Sequence, residues 1–186
     1  MSMLPNFKVF SPSQPNEGKA CLDLALAHDG PSYIRLGKNG EPDLSENLLT
    51  EKDGTKIYCY KPDACDLLIF CHGAITHECI QASKILSKSG IHISVCSALQ
   101  VKPLPESIID ICSKQKKVIS VEEHSTYHSV GSSLLKQISE NGFYGKFKVY
   151  GIEDKFTEVV GSRDFLLEHH RLDATSLVTR FKLELE

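Results

Sequence analysis

Four short apolar runs rich in β-branched residues constrain this chain more than any other feature. They are Leu67–Cys71, His92–Cys96, Val118–Val121 and Phe147–Gly151, and their starts lie 25, 26 and 29 residues apart. The segments between them carry helical periodicity. Ile75, Cys79, Ala82 and Leu86 recur at three or four residues, with Gly90 placed to cap the helix end. Pro105 opens a second helix bearing Ile108, Ile109 and Cys112. Val130, Leu134, Leu135 and Ile138 mark a third, which ends near Asn141-Gly142. Strand, helix, strand at this spacing predicts right-handed crossovers and a parallel sheet covered on both faces. The segments share no residue pattern, so the regularity is not that of a solenoid. Two further helices are expected over Ser162–His170 and Asp173–Phe181.

The first 38 residues read differently. Phe7–Ser11 and Ser32–Leu36 read as strands around a helix over Pro15–His28, with Gly30-Pro31 after its end. Residues 39–54 then read as a polar linker, and residues 55–186 as the main domain. A lone βαβ unit this short cannot bury its own faces. Either its strands join the downstream sheet, or they are the remainder of a second domain; the polar linker favours the second.

Composition sets the class of partner. The 186 residues are 41% hydrophobic and 24% charged, with a formal net charge of −3, which argues against disorder and against a basic nucleic-acid face. No apolar run approaches the roughly 20 residues that span a bilayer, and the first ten residues lack a secretory leader's layout. Seven cysteines occur with no CxxC pair, several inside apolar runs. Buried reduced thiols in a cytoplasmic protein are the expectation, rather than zinc ligands or disulfides.

Several motifs invite chemistry and fall short of it. Ile69-Phe70-Cys71-His72-Gly73 is similar to the oxyanion turn of α/β-hydrolases, but the Gly-x-Ser-x-Gly nucleophile elbow is missing. Ser133-Leu-Leu-Lys136 sits on an amphipathic helix without its companion motifs, and His77-Glu78 lacks a second His one turn on. His169-His170 reads as a solvated helix end. The segment from Val121 to Ser132 is the most informative. It follows a strand directly, and so lies at the carboxyl edge of the sheet, where open α/β folds place ligands. Glu122, Glu123, His124 and His128 could do acid–base work there. Equally, the segment could be a capping turn, with Ser125 or Thr126 capping the next helix and Gly131 packing closely on the sheet.

These residues also carry a resemblance. Glu122-Glu-His-Ser-x-x-x-x-Val-Gly-Ser132 resembles the Glu-Glu-His-Ser…Gly-Gly-Leu-Gly-Ser signature of the transketolase C-terminal domain. Leu4-Pro-Asn-Phe-Lys-Val and Pro12-Ser-Gln-Pro-Asn-Glu17 resemble the segment after that family's central thiamine-pyrophosphate motif. Gly30-Pro-Ser-Tyr-Ile-Arg-Leu-Gly37 is similar to the last strand of its pyrimidine-binding domain. Lys102-Pro-Leu104 and Gly151-Ile-Glu-Asp-Lys-Phe156 with Gly161-Ser162 follow in the family's order. One departure is His128-Ser129, where the family has Gly-Gly.

The resemblance implies an α/β protein with a three-layer α/β/α domain and a mostly parallel five-stranded sheet, preceded by a partial βαβ unit. It divides the chain into a pyrimidine-domain remnant (1–38), a linker (39–54) and a transketolase C-terminal domain (55–186). It implies thiamine pyrophosphate and magnesium for a complete enzyme, bound between domains this sequence does not contain; the family's Gly-Asp-Gly motif is absent. No catalytic, cofactor-binding or metal-binding residue is therefore expected here, and the chain alone should not transfer ketol groups. Its partners would be the thiamine-binding domains or subunit, in a homo- or hetero-oligomer. Arg35 or Lys38 would lie near a sugar phosphate, as a strand-end basic residue does in some members. The competing expectation is a stand-alone binding or regulatory module that uses the edge from His124 to His128.

Overall fold

The computed structural model describes residue 1, residues 4–37 and residues 40–186. In chain order the elements are β1 (Lys8–Phe10), α1 (Glu17–Leu26), β2 (Ser32–Ile34), β3 (Leu48–Lys52), β4 (Thr55–Tyr58), β5 (Leu67–Cys71), α2 (Ile75–Ser87), β6 (Ile93–Ala98) and β7 (Gln100–Lys102). There follow α3 (Glu106–Ser113), β8 (Lys117–Ser125), α4 (Val130–Glu140), β9 (Lys146–Ile152), α5 (Arg163–His169) and α6 (Ala174–Leu185).

The main sheet has the order β3-β4-β6-β5-β8-β9. The stretch β6-β5-β8-β9 is parallel, while β3 and β4 add to its edge antiparallel. Side chains alternate across β5. Leu67, Ile69 and Cys71 join α2 and α6 residues such as Ile80, Leu86, Leu177 and Phe181 in one core. Leu68 and Phe70 face the other way and join Ile108 and Cys112 of α3 with Leu134 and Ile138 of α4. Two apolar cores, one on each face, make the three layers. The runs in β5, β6 and β8 read as parallel strands because they are buried on both sides, whereas β9, at the edge, is only partly covered.

The sheet has six strands, not the five expected. Two of the six, β3 and β4, lie outside the four apolar runs, and β3 falls in the stretch read as linker. Its residues are mostly exposed, so no apolar run marks it. The signal that could have found it is Asp53-Gly54. Both residues have positive φ, at 46° and 80°, and Lys52 pairs with Thr55 across them. This is the two-residue hairpin turn that Asp-Gly favours.

The N-terminal strands stay out of the main sheet. They form a three-stranded sheet of order β2-β1-β7, with β1 parallel to β2 across α1. The third strand, β7, comes from the main domain and runs antiparallel to β1. Phe10, Cys21 and Leu99 form a small core beneath it. Polar groups also tie the unit down: the Leu44 N–H donates to Gln14 Oε1 at 2.8 Å, and Thr76 Oγ1 donates to Ser13 Oγ at 3.0 Å.

All seven cysteines are free. Five are buried, and burial pushes the Cys21 thiol up to about 12 and the Cys96 and Cys112 thiols well above their usual range. They behave as small core hydrophobes.

Candidate functional site

The crossovers fix where a ligand can enter. From β5 the chain leads through α2 to β6 on one side, whereas from β8 it leads through α4 to β9 on the other. The adjacent carboxyl ends of β5 and β8 are therefore the topological switch point, the crevice where open α/β sheets bind ligands. His72 follows β5 directly, and Glu122 and Glu123 sit near the end of β8.

Glu122 is 1% exposed. It follows Ser120 by two residues on the strand and shares its face, and Ser120 Oγ donates to its Oε1 at 3.0 Å. The first two backbone N–H groups of α4 also donate to it, Val130 at 2.9 Å and Gly131 at 2.6 Å. The carboxylate thus supplies the anion that a helix N-terminus favours. His72, itself 6% exposed, places Nε2 3.5 Å from Glu122 Oε2 and Nδ1 3.1 Å from Ser11 Oγ. Ser11 belongs to the N-terminal unit, so His72 bridges the two parts of the chain. Burial alone would push the Glu122 carboxyl up; His72, the Gly131 N–H and Ser120 together outweigh it and hold the group below the ordinary range.

Gly131 explains the close seat of α4. A Cβ there would run into Ser120 Oγ and lie 2.8 Å from Glu122 Oε1. The N-cap of α4 is Ser129, whose Oγ accepts the Ser132 N–H at 3.1 Å, and not Ser125 or Thr126 as the sequence suggested. Residues 126–129 form the turn instead, after β8 has run on to Ser125.

Glu123, the next residue, organises a second set of contacts. Arg35 donates from a terminal amino group to the Glu123 carbonyl oxygen at 2.8 Å. A terminal amino group of Arg163 lies 2.5 Å from its carboxylate, and the other lies 3.9 Å from Glu78. Both arginines line a cavity of about 360 Å³ between the N-terminal unit and the main domain. Ser11, Glu41, His72 and Ser162 share its wall. Groups of both signs line this cavity, whose volume is within the range of small-molecule clefts.

The sequence candidates separate accordingly. Glu122, Glu123, Gly131 and Arg35 come together at the switch point. His124 and His128 do not: both are exposed, His124 against the Ser125 carbonyl at 3.1 Å and His128 edge-on to Tyr127. Lys38 lies outside the described residues. Sequence reasoning passed over His72, Ser11 and Arg163 as partners of this site. His72 had a usable signal, a polar residue directly after a fully apolar strand; nothing in the sequence pairs Arg163 with residue 123.

A three-layer α/β domain with its polar site at the β5/β8 crevice defines the structural class. Residues 59–177 match the family described as transketolase, C-terminal domain, and the chain belongs to the transketolase family. It is 30% identical over 181 residues to an apulose-4-phosphate transketolase subunit of Actinobacillus succinogenes, covering 93% of this chain and 55% of that protein. It is also 30% identical over 193 residues to a putative transketolase C-terminal section of Methanocaldococcus jannaschii, covering 100% of this chain and 58% of that one. Among solved structures, a split-gene transketolase described as an inactive beta4 tetramer superposes with a TM-score of 0.84 at 29% identity. That match covers 100% of this chain and 60% of the solved one. The chain thus spans little more than half the length of these relatives.

The carboxylates at this crevice do not fit a magnesium ion. Among the described residues, no group of three or more His, Cys, Asp or Glu side chains could hold a metal ion. The carboxylates at the crevice are already engaged, Glu122 by backbone N–H groups and Glu123 by Arg163.

Proposed function

We propose that this chain is the C-terminal module of a thiamine-diphosphate-dependent transketolase-type enzyme, acting on sugar phosphates or related sugars once joined to thiamine-binding domains. The module supports assembly and is inactive alone. The observation that carries this reading is the N-terminal unit. Its inner side is tied to the main domain through β7, yet its helix α1 exposes Leu22, Leu24 and Leu26, the last by 77%. A three-residue edge strand and exposed leucines on the helix beside it, Leu22 and Leu26 on one face, are what a sheet leaves open when further strands and helices are to dock on it. The relatives described as a transketolase subunit and as a split-gene product support a partner on a separate chain. Arg35 is the residue proposed for the substrate phosphate, a guanidinium at a strand end beside a polar cavity.

Mixing the purified chain with a thiamine-binding transketolase polypeptide from the same source tests the proposal. Ketol transfer and a stable complex are expected only in the mixture. Activity independent of this chain, or failure of the two to associate, overturns it. A monomer that binds a whole metabolite tightly and does not associate with the thiamine-binding polypeptide would favour the regulatory module instead.

A further inference from the structure

Resting on the assignment of Arg35 to the substrate phosphate, we infer that Arg163 is a second phosphate-binding residue, so that the C-terminal domain takes part in ligand recognition. Arg35 and Arg163 come from opposite ends of the sequence and from different sheets' surroundings, yet line one cavity of about 360 Å³. Glu123 holds both. Its carbonyl oxygen accepts from Arg35 at 2.8 Å, and its carboxylate lies 2.5 Å from Arg163.

A guanidinium carries five N–H donors in a fixed fork, and these contacts leave donors on each arginine for an oxyanion. Two anchored guanidiniums facing one space can share the oxygens of a phosphate ester, and anchoring lowers the entropy lost on binding. The cavity also contains negative charge. Glu41 lies on its wall, and the Glu123 carboxylate neutralises part of Arg163. A phosphate therefore gains most by seating between the arginines and away from Glu41, which leaves Glu41 to accept from hydroxyls on the ligand body. Ser162, at the start of α5, adds a hydroxyl beside Arg163.

Titration of the full chain with inorganic phosphate, followed by calorimetry and ³¹P NMR, tests the inference. Saturable binding is expected, weakened about tenfold in Arg163→Met and recovered in part by Arg163→Lys, which keeps the charge without the fork. Glu41→Gln should bind phosphate more tightly, since it removes a like charge from the same wall, and that result places the bound phosphate in this cavity. Binding lost in Arg35→Met but unchanged in Arg163→Met overturns the role of Arg163 and leaves that of Arg35 standing. No binding by the unaltered chain, or binding indifferent to both Arg35→Met and Arg163→Met, overturns both, and binding that needs Arg163 but not Arg35 overturns the assignment of Arg35.

Discussion

Lys56 Nζ lies 2.8 Å from Glu17 Oε1, and both side chains are less than a tenth exposed. The pair joins β4 of the main domain to the first turn of α1, across the junction between the two parts of the chain. Glu17 Oε2 also accepts the Ser13 N–H at 2.6 Å, which fixes the loop leading into the helix. Removing one partner leaves the other buried charge with weaker compensation, Lys56 with only Glu51 at 3.7 Å and Glu17 with the Ser13 N–H, at a cost of about 3 kcal/mol. Glu17→Gln and Lys56→Met are each expected to destabilise the chain by that order, read as a lowered urea midpoint. The two parts should unfold together in the unaltered chain; separate transitions would show that the junction is weaker than this pair implies.

Gly131→Ala places a methyl group 2.5 Å from the Ser120 Cβ and 2.8 Å from Glu122 Oε1. Neither neighbour can move far, because Ser120 is in the centre of β8 and Glu122 is pinned by two helix N–H groups. A destabilisation of about 2 kcal/mol is expected, within the range for overpacking. Ser120→Gly in the same chain should restore part of the loss, and thermal melts of the single and double variants measure it.

The legible parts of this molecule are those whose burial is two-sided. The strands β5, β6 and β8 announce themselves because both faces are apolar, β9 by the alternation of Phe147 and Val149 with exposed lysines, and α2 and α4 because one face is apolar. The β3/β4 hairpin is harder to read because β3 is an edge strand with exposed side chains, and its turn, Asp53-Gly54, looks like linker chemistry until both residues are given positive φ. At the site, Glu122 was legible as a sheet-edge carboxylate and Gly131 as a close-packing glycine. The exposure of His124 and His128 was not legible, because the β8/β9 register shifts between Val121 and Ser125, so the alternation that buries Ser120 and Glu122 does not carry on to His124, and His128 lies in the turn beyond the strand. Arg163 was illegible for a different reason: its link to residue 123 spans a connection whose path depends on how α5 packs.

Glu122 makes stability pH-dependent with a definite sign. Its carboxyl is held below the ordinary value of 4.5, so it contributes stability above that value and loses it as pH falls through the folded-state pKa. Glu78 is held low as well, chiefly by His77 and also by the Ala174 N–H, and acts in the same direction. Urea midpoints should therefore be lower below about pH 4.5 than at neutrality. Glu122→Gln keeps an acceptor oxygen but not the charge, and should lower stability at pH 7 while flattening the acid limb. A variant with an unchanged acid limb would show that Glu122 does not titrate as its contacts require.

Leu26 separates docking from folding. It is 77% exposed at the end of α1, and its side chain is outside the small core formed by Phe10, Cys21 and Leu99. A charged residue there touches no core contact of this chain, so Leu26→Glu should change its stability by no more than about 0.5 kcal/mol. If α1 is the face on which the thiamine-binding domains dock, the same substitution puts a carboxylate into a desolvated interface. The dissociation constant of the complex should then rise by about tenfold or more, with Leu22→Glu acting likewise. Analytical ultracentrifugation of the mixed chains measures it. Unimpaired assembly in both variants would move the docking face away from α1 and remove the main support for an N-terminal unit completed by a partner.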